Sequence, residues 1–205
     1  MREKLLASAL LLLAAGTLRA QQGDRFAAGG GDPPDERGSA RLLYWNETTD
    51  QAAGQIAFNY GRPVWHKEYE DPANFDTMTK GKIWRMGSNF WSNLYTDLPI
   101  TISGKSIKPG LYFLGLRRSA DGSSWSLAFI DPVKVRKARL DAFQIQRATV
   151  EFTAPMNAEV AGSNAVEKLT IVLTALEKND PKNLTLKISW GHLALSAPVK
   201  VTVGE

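Results

Sequence analysis

The chain has 205 residues and a formal net charge of +4, with 25 basic and 21 acidic side chains. It contains no cysteine, which excludes disulfide bonds, thiolate catalysis and thiolate-ligated zinc. Charges of both signs alternate along most of the chain, so we expect a solvated surface and no nucleic-acid partner.

Residues 1–20 have the three parts of a secretory signal peptide. Basic residues precede an apolar run from Leu5 to Ala15, and small residues follow up to Ala20. The run is shorter than the roughly 20 residues that span a bilayer, so we predict cleavage of this segment. Cleavage removes three cations and one anion and leaves a net charge of +2. We therefore expect a periplasmic or secreted protein with no transmembrane segment in the mature chain.

Residues 21–40 are predicted to form a flexible leader. They combine glycine, proline and charged residues with almost no bulky apolar side chains, and such a composition buries too little surface to offset the entropy of ordering. The folded region is predicted to begin near Arg41. We expect one domain over residues 41–205, since about this length supplies a single hydrophobic core.

From Arg41 onwards, short apolar runs with a two-residue period alternate with turn residues, which is typical of strands. Ile56, Phe58 and Tyr60 alternate with more polar or smaller neighbours, as in a half-buried strand. Residues 111–116 are apolar at both parities, which predicts a central strand covered on both faces. Further predicted strands cover residues 100–102, 125–129, 150–152, 169–173, 184–190 and 193–203.

This pattern predicts an all-β fold, a single-domain antiparallel β-sandwich in which two sheets enclose the core, with at most one or two short helices. The best helical candidate covers residues 133–143, which follow Asp131 and Pro132 and lack proline and glycine. Residues 158–167 are a second candidate for a turn or helix.

Several glycine-containing motifs occur in a fixed order in the middle of the chain. They are Tyr60-Gly61-Arg62-Pro63, Gly81-Lys82-Ile83-Trp84-Arg85-Met86-Gly87-Ser88-Asn89, Ile102-Ser103-Gly104-Lys105 and Pro109-Gly110-Leu111-Tyr112, followed by Leu186-Lys187-Ile188-Ser189-Trp190. In this order the motifs resemble a bacterial family catalogued as domain of unknown function 2911, over roughly residues 55–203. The resemblance implies an exported, mostly β domain and brings no activity with it. In the family pattern an acidic residue follows the asparagine, whereas Phe90 and Trp91 stand here.

The candidate binding residues are Arg62, Trp84, Arg85 and Asn89. On a strand, Trp84 and Arg85 point to opposite faces. In one interpretation Arg85 holds an anion or carboxylate and Trp84 stacks on a ligand ring or a guanidinium group. In the other, Arg85 pairs with an internal acid and Trp84 belongs to the core.

His66 is a weak candidate for a metal ligand or a general acid-base group, because Glu68, Glu70 and Asp71 follow it closely. A single histidine in a charged loop is more typical of a solvated surface, so we predict no metal site, no cofactor and no catalytic residue. His192 is expected in a hairpin turn between the last two strands.

We expect an exported, non-catalytic binding or interaction domain. Its candidate ligands are a saccharide, which flat aromatic rings stack well, a cell-envelope component, or an envelope protein. The alternatives are a metal-assisted or acid-base hydrolase centred on His66 and a structural partner in an envelope assembly.

Overall fold

Twelve antiparallel β-strands dominate the residues that the computed structural model describes, which are 36–159, 165–177 and 180–204. The predicted all-β class is therefore confirmed. The first strand begins at Arg37, four residues before the predicted domain start, and the predicted signal peptide and leader residues 21–35 lie outside the described residues. The strands are β1 (Arg37–Asn46), β2 (Gln51–Gly61), β3 (Ile83–Trp84), β4 (Ser92–Thr96), β5 (Ile100–Ile102), β6 (Lys105–Ile107), β7 (Gly110–Arg118), β8 (Trp125–Ile130), β9 (Val150–Glu159), β10 (Val166–Glu177), β11 (Asp180–Gly191) and β12 (Leu193–Val201).

The two faces of the sandwich belong to one continuous sheet with the strand order β1-β2-β4-β7-β8-β9-β12-β11-β10. Strand β9 makes the connection, because residues 150–156 pair with β8 and residues 157–159 pair with β12. The short strands attach beside this path, with β3 on β7 and the β5–β6 hairpin on β12. The expected two sheets are thus two halves of a single sheet.

One hydrophobic cluster fills the space between the two halves of the sheet. Ile56, Phe58 and Tyr60 are buried, as their alternation predicted. In β7, residues 114–116 are buried, whereas Leu111 is exposed, so only the second half of the predicted central strand is covered on both faces. Each fully buried aliphatic or phenyl side chain stabilises the fold by about 1.5–3 kcal/mol, and this burial replaces the missing disulfide bonds.

Tyrosine hydroxyls connect the two ends of the sheet. Tyr44 Oη donates to the carbonyl of Pro181 at 2.8 Å, and Tyr60 Oη accepts from the amide of Ile171 at 2.9 Å. Burial raises the pKa of Tyr44 to about 12, so its phenol stays neutral and remains a donor. Beyond β2, the amide of Trp65 donates to the carbonyl of Glu167 in β10. These bonds bring the start and the end of the strand order together.

The helices are short, as predicted, and lie at two places on the sheet. The 3-10 helix η1 (Lys67–Glu70) leads into helix α1 (Pro72–Thr79), and helix α2 (Pro132–Lys137) is followed by the 3-10 helix η2 (Ala142–Arg147). The helix predicted over residues 133–143 is interrupted, because Arg139 has a positive φ of 54° and the amide of Leu140 bonds back to Val135.

The second helical candidate, residues 158–167, is not a helix where it is described, since its two ends belong to β9 and β10. Residues 160–164 lie outside the described parts of the chain. Across the described ranges, none of the helices is both long and apolar enough to cross a membrane.

Candidate functional site

A cavity of about 280 Å³ lies between helix α1 and the sheet, and we call it the aromatic pocket. Five of the eight residues that line it are aromatic, and none carries a charge. The lining residues are Tyr69, Phe75, Met78, Thr79, Trp84, Trp125, Trp190 and Leu193.

The local sequence explains why α1 forms the roof of this pocket. Asp71 caps the helix, because its carboxylate accepts a hydrogen bond from the amide of Ala73 at 2.9 Å, and Pro72 occupies the first helical position. Phe75, Met78 and Thr79 are spaced by three and four residues, so they lie on one face of the helix. That face is turned toward the sheet.

Stacked tryptophans form the floor of the pocket. The rings of Trp84 in β3 and Trp190 in β11 are 4.7 Å apart and inclined by only 15°. Trp65 meets Trp190 edge-on at 4.9 Å, and the indole of Trp190 donates to the carbonyl of Pro63 at 2.9 Å. Gly191 leaves room for Trp65, because a Cβ atom there would lie 1.9 Å from the indole ring.

Arg118 fixes α1 above the pocket. Its guanidinium group pairs with Asp76 at 2.7 Å, donates to Thr79 Oγ1 at 2.9 Å and donates to the carbonyl of Gly122 at 3.1 Å. The same group lies over the rings of Phe75 and Trp125, at 5.7 and 5.4 Å from the two ring centres. Each of these distances is within the range of a cation–π interaction.

A second depression of about 290 Å³ adjoins the aromatic pocket, and we call it the outer compartment. It shares Tyr69, Phe75 and Leu193 with the aromatic pocket and adds polar and charged groups. The additional lining residues are Trp65, Glu70, Pro72, Asp76, Arg118 and His192. The combined site is therefore apolar at its inner end and polar at its outer end.

Of the four predicted binding residues, only Trp84 lines the aromatic pocket. Arg62 lies beside Glu36, the first described residue, and forms an ion pair with it. Arg62 also donates a hydrogen bond to the carbonyl of Leu169 at 3.2 Å. Asn89 is exposed in a turn and has a positive φ of 55°. The two residues after it do not line the aromatic pocket: Phe90 is exposed, and Trp91 stacks on Phe113 at 4.9 Å.

Arg85 directly follows the last residue of β3 and does not line the aromatic pocket. Its guanidinium group lies 3.8 Å above the ring of Phe143, and its Nε donates to the carbonyl of Gly87 at 3.1 Å. Burial lowers the pKa of Arg85, and the carboxylate of Asp141 partly opposes this shift. Its Nη1 is buried and has no hydrogen-bond partner among the described residues. Arg85 lies outside the aromatic pocket, but together with Trp84 it lines a further pocket of about 200 Å³ next to η2.

His66 is exposed, and its ring meets Tyr69 edge-on at 5.4 Å. The charged loop that was predicted after it is ordered as η1 and the start of α1. Among the described residues, no three histidine, aspartate or glutamate side chains come together in a group that could hold a metal ion. His192 lies between β11 and β12, as predicted, and faces Trp65 at 6.2 Å.

Sequence reasoning missed Phe75, Met78 and Thr79, because it treated the residues after His66 as a loop. It missed Arg118, because the strand predicted over residues 111–116 ended before that residue. The signal for the helix was present: Asp71 followed by Pro72 is a typical helix start, and the next seven residues contain neither glycine nor proline. Trp190 was assigned to a strand correctly, but its stacking on Trp84 joins residues far apart in the sequence, and no local pattern reveals it.

Residues 46–199 match the family described as a protein of unknown function, DUF2911. The chain belongs to this family. The resemblance noted in the sequence is thereby confirmed, and every residue that lines the aromatic pocket lies within the part that matches the DUF2911 family. A comparison with curated proteins found no match, and neither did a comparison with solved structures.

Proposed function

We propose that this protein is an exported, non-catalytic binding domain whose ligand occupies the aromatic pocket. The observation that carries the proposal is the lining of this pocket, because five of its eight residues are aromatic and none is charged. A space lined by aromatic rings beneath a helix is typical of a small-ligand site.

The volume limits the size of the ligand. An apolar cavity of about 150 Å³ holds benzene, so the aromatic pocket, at about 280 Å³, has room for roughly twice as much. The ligand, or the part of it that enters, is therefore a ring with a short substituent or a compact branched group. Of the candidate classes, this size favours a small molecule or the small head group of an envelope component over a folded protein.

The lining favours binding over turnover. The eight residues of the aromatic pocket include no carboxylate, histidine or lysine that could transfer a proton at neutral pH. The hydroxyl of Thr79 is already engaged, because it donates to the carbonyl of Phe75 at 2.7 Å and accepts from Arg118. A sugar ring needs several hydrogen bonds as well as stacking, so the lining suits a less polar ligand than a saccharide better.

Two tryptophans provide a matched test. Trp84 and Trp91 are both partly buried and both stack on another aromatic ring, but only Trp84 lines the aromatic pocket. We expect a library of small aromatic and branched aliphatic fragments, screened by ligand-observed NMR, to contain binders that Trp84→Ala loses and Trp91→Ala keeps. Fragments that bind both variants equally, or a library without a single saturable binder, would contradict the proposal.

A further inference from the structure

On the basis of the proposed function, the chemical class of the ligand can be named. We infer that the aromatic pocket takes a quaternary ammonium group, with the carboxylate of Glu70 in the outer compartment as its counter-charge. Four observations lead to this assignment, and each concerns residues that line the two compartments.

The first observation is the number of aromatic rings. Six aromatic residues line the aromatic pocket and the outer compartment together, and the faces of such rings carry negative electrostatic potential. Aromatic side chains bind quaternary ammonium groups where a ring face is open to the ligand, because the positive charge is spread over methyl groups that pack against the ring. An uncharged apolar ligand gains only the packing, whereas a cation gains the electrostatic attraction as well.

The second observation is that two of these rings already attract a cation. The guanidinium group of Arg118 lies over Phe75 and Trp125, both of which line the aromatic pocket. Asp76, Thr79 and the carbonyl of Gly122 take three of the five N–H donors of Arg118, through its Nε and Nη1 atoms. The carboxylate of Asp76 pairs with this charge and also with Lys80.

The third observation concerns the free charge at the outer end of the site. Glu70 lines the outer compartment, and none of the described residues forms an ion pair or a hydrogen bond with its side chain. The other lining carboxylate, Asp76, pairs with both Arg118 and Lys80. Glu70 is therefore the carboxylate of the outer compartment that remains available to a ligand, and it selects a positive charge.

The fourth observation separates a quaternary ammonium from a primary one. A primary ammonium group carries three N–H donors, and each needs an acceptor when it is buried. The aromatic pocket offers only two side-chain oxygens, those of Tyr69 and Thr79, and the latter is already engaged. A trimethylammonium group has no N–H donor, so it enters this lining without leaving a hydrogen bond unmade.

The test compares choline with its neutral carbon isostere, in which a tert-butyl group replaces the trimethylammonium group. Both are titrated by calorimetry into the protein over residues 21–205. We expect choline to bind about tenfold more tightly, since a desolvated cation–π interaction is worth about that factor. Equal affinities, or no binding of either compound, would overturn the quaternary ammonium assignment, whereas the proposed function falls only if the fragment library contains no binder that depends on Trp84.

Three variants show which residues produce the difference in affinity between choline and its neutral isostere. Phe75→Leu keeps apolar volume but removes a ring of the pocket, and Glu70→Gln removes the charge, so each should lower the ratio of the two affinities several-fold. Phe143→Leu is the matched control, because Phe143 lies beneath the guanidinium group of Arg85 and outside both compartments. A ratio that falls equally in Phe143→Leu would contradict the assignment.

The trimethylammonium group also occurs in lipid head groups, and a pocket of about 280 Å³ admits it from either source. Our assignment is to the free small molecule. Phosphatidylcholine vesicles distinguish the two sources. We expect free choline to bind whether or not vesicles are present, and little protein to sediment with the vesicles. Sedimentation with phosphatidylcholine vesicles, without binding of free choline, would overturn the assignment to a soluble ligand.

Discussion

The two helical segments that pack on the sheet differ in what they place against it. The segment formed by α2 and η2 buries Val135, Ala142 and Ile145, and of these Val135 and Ile145 pack in one cluster with Ala128 and Ile130 of the sheet. Helix α1 buries only one of its eight residues, Thr79, and the aromatic pocket lies beneath it. One segment completes the core, and the other encloses a cavity.

The attachment of the two segments differs in the same way. Buried apolar side chains hold η2, together with a pair of hydrogen bonds between the Gln146 side chain and the backbone of Ile83. Helix α1 is held by the partly buried Phe75, by the ion pair of Asp76 with Arg118 and by the bond from Lys82 Nζ to the carbonyl of Thr77 at 2.6 Å. Burial of apolar surface is the dominant favourable term in folding. We therefore expect substitutions in the α2–η2 segment to change stability, and substitutions around α1 to change ligand binding more than stability.

The largest effect on stability is expected from Ile145→Ala in η2. Ile145 is 4% exposed, and truncating a buried isoleucine to alanine costs about 3 kcal/mol of the free energy of unfolding. The measurement is urea denaturation followed by circular dichroism. Binding of choline to the folded variant should be unchanged. A loss of binding as large as the one caused by Phe75→Leu would show that the two segments are not separate in function.

Gly191→Ala tests whether the pocket floor depends on the close approach of Trp65. Gly191 has a positive φ of 56°, and a Cβ atom there would lie 1.9 Å from the Trp65 ring. We expect strain and displacement of Trp65 to cost about 2 kcal/mol of the free energy of unfolding and to weaken ligand binding. Urea denaturation and a choline titration measure the two effects.

Gly104→Ala is the matched control for this substitution. Gly104 has a φ of 77°, but no atom lies within 4 Å of the position that an alanine methyl group would take, so only the backbone strain of about 1 kcal/mol remains. Equal losses of stability in the two variants would contradict the role assigned to the contact between Gly191 and Trp65.

The smallest effect is expected from Asp76→Asn. A hydrogen bond from Lys80, followed by one from Arg118, lowers the pKa of Asp76. Because the folded pKa lies below the ordinary aspartate value of about 3.9, the pair stabilises the folded state above that pH. The contribution is lost as the pH falls through the lowered pKa of the folded state.

The wild type should therefore be more stable than Asp76→Asn at pH 7, and the difference should vanish in acid. Amide exchange in α1 should quicken in the variant at pH 7. Glu151→Gln serves as the control, since it breaks the 2.7 Å ion pair with Lys134 on α2 and changes no contact of α1. A stability difference for Asp76→Asn that persists at low pH would contradict this explanation.

The strands could be predicted from the sequence because their signal is local. Ile56, Phe58 and Tyr60 alternate within one strand, and the buried face follows directly from that alternation. The continuity of the sheet could not be predicted, because it depends on which strands pair with β9. Residues 150–156 pair with β8 and residues 157–159 with β12, and no local pattern in β9 distinguishes these two partners.

The candidate site was predictable only in part. Trp84 stood out as an aromatic residue among glycines, but nothing local shows that Trp190 lies nearly parallel to it at 4.7 Å. Arg85 was grouped with Trp84 by sequence proximity, and the structure places it outside the aromatic pocket but beside Trp84 in a further pocket of about 200 Å³. Helix α1 could have been predicted from Asp71 and Pro72, but the cavity beneath it depends on contacts between distant segments.

Methyl NMR of methionine residues tests the central claim most directly, because the chain has only four methionines and Met78 alone among the described ones lines the aromatic pocket. During a titration with choline, we expect the Met78 methyl resonance to shift saturably and to show the largest change. Met86 is fully buried in the core, and its resonance should move less. A saturable shift at Met86 with none at Met78 would contradict the account, as would a titration that leaves every methionine resonance unchanged.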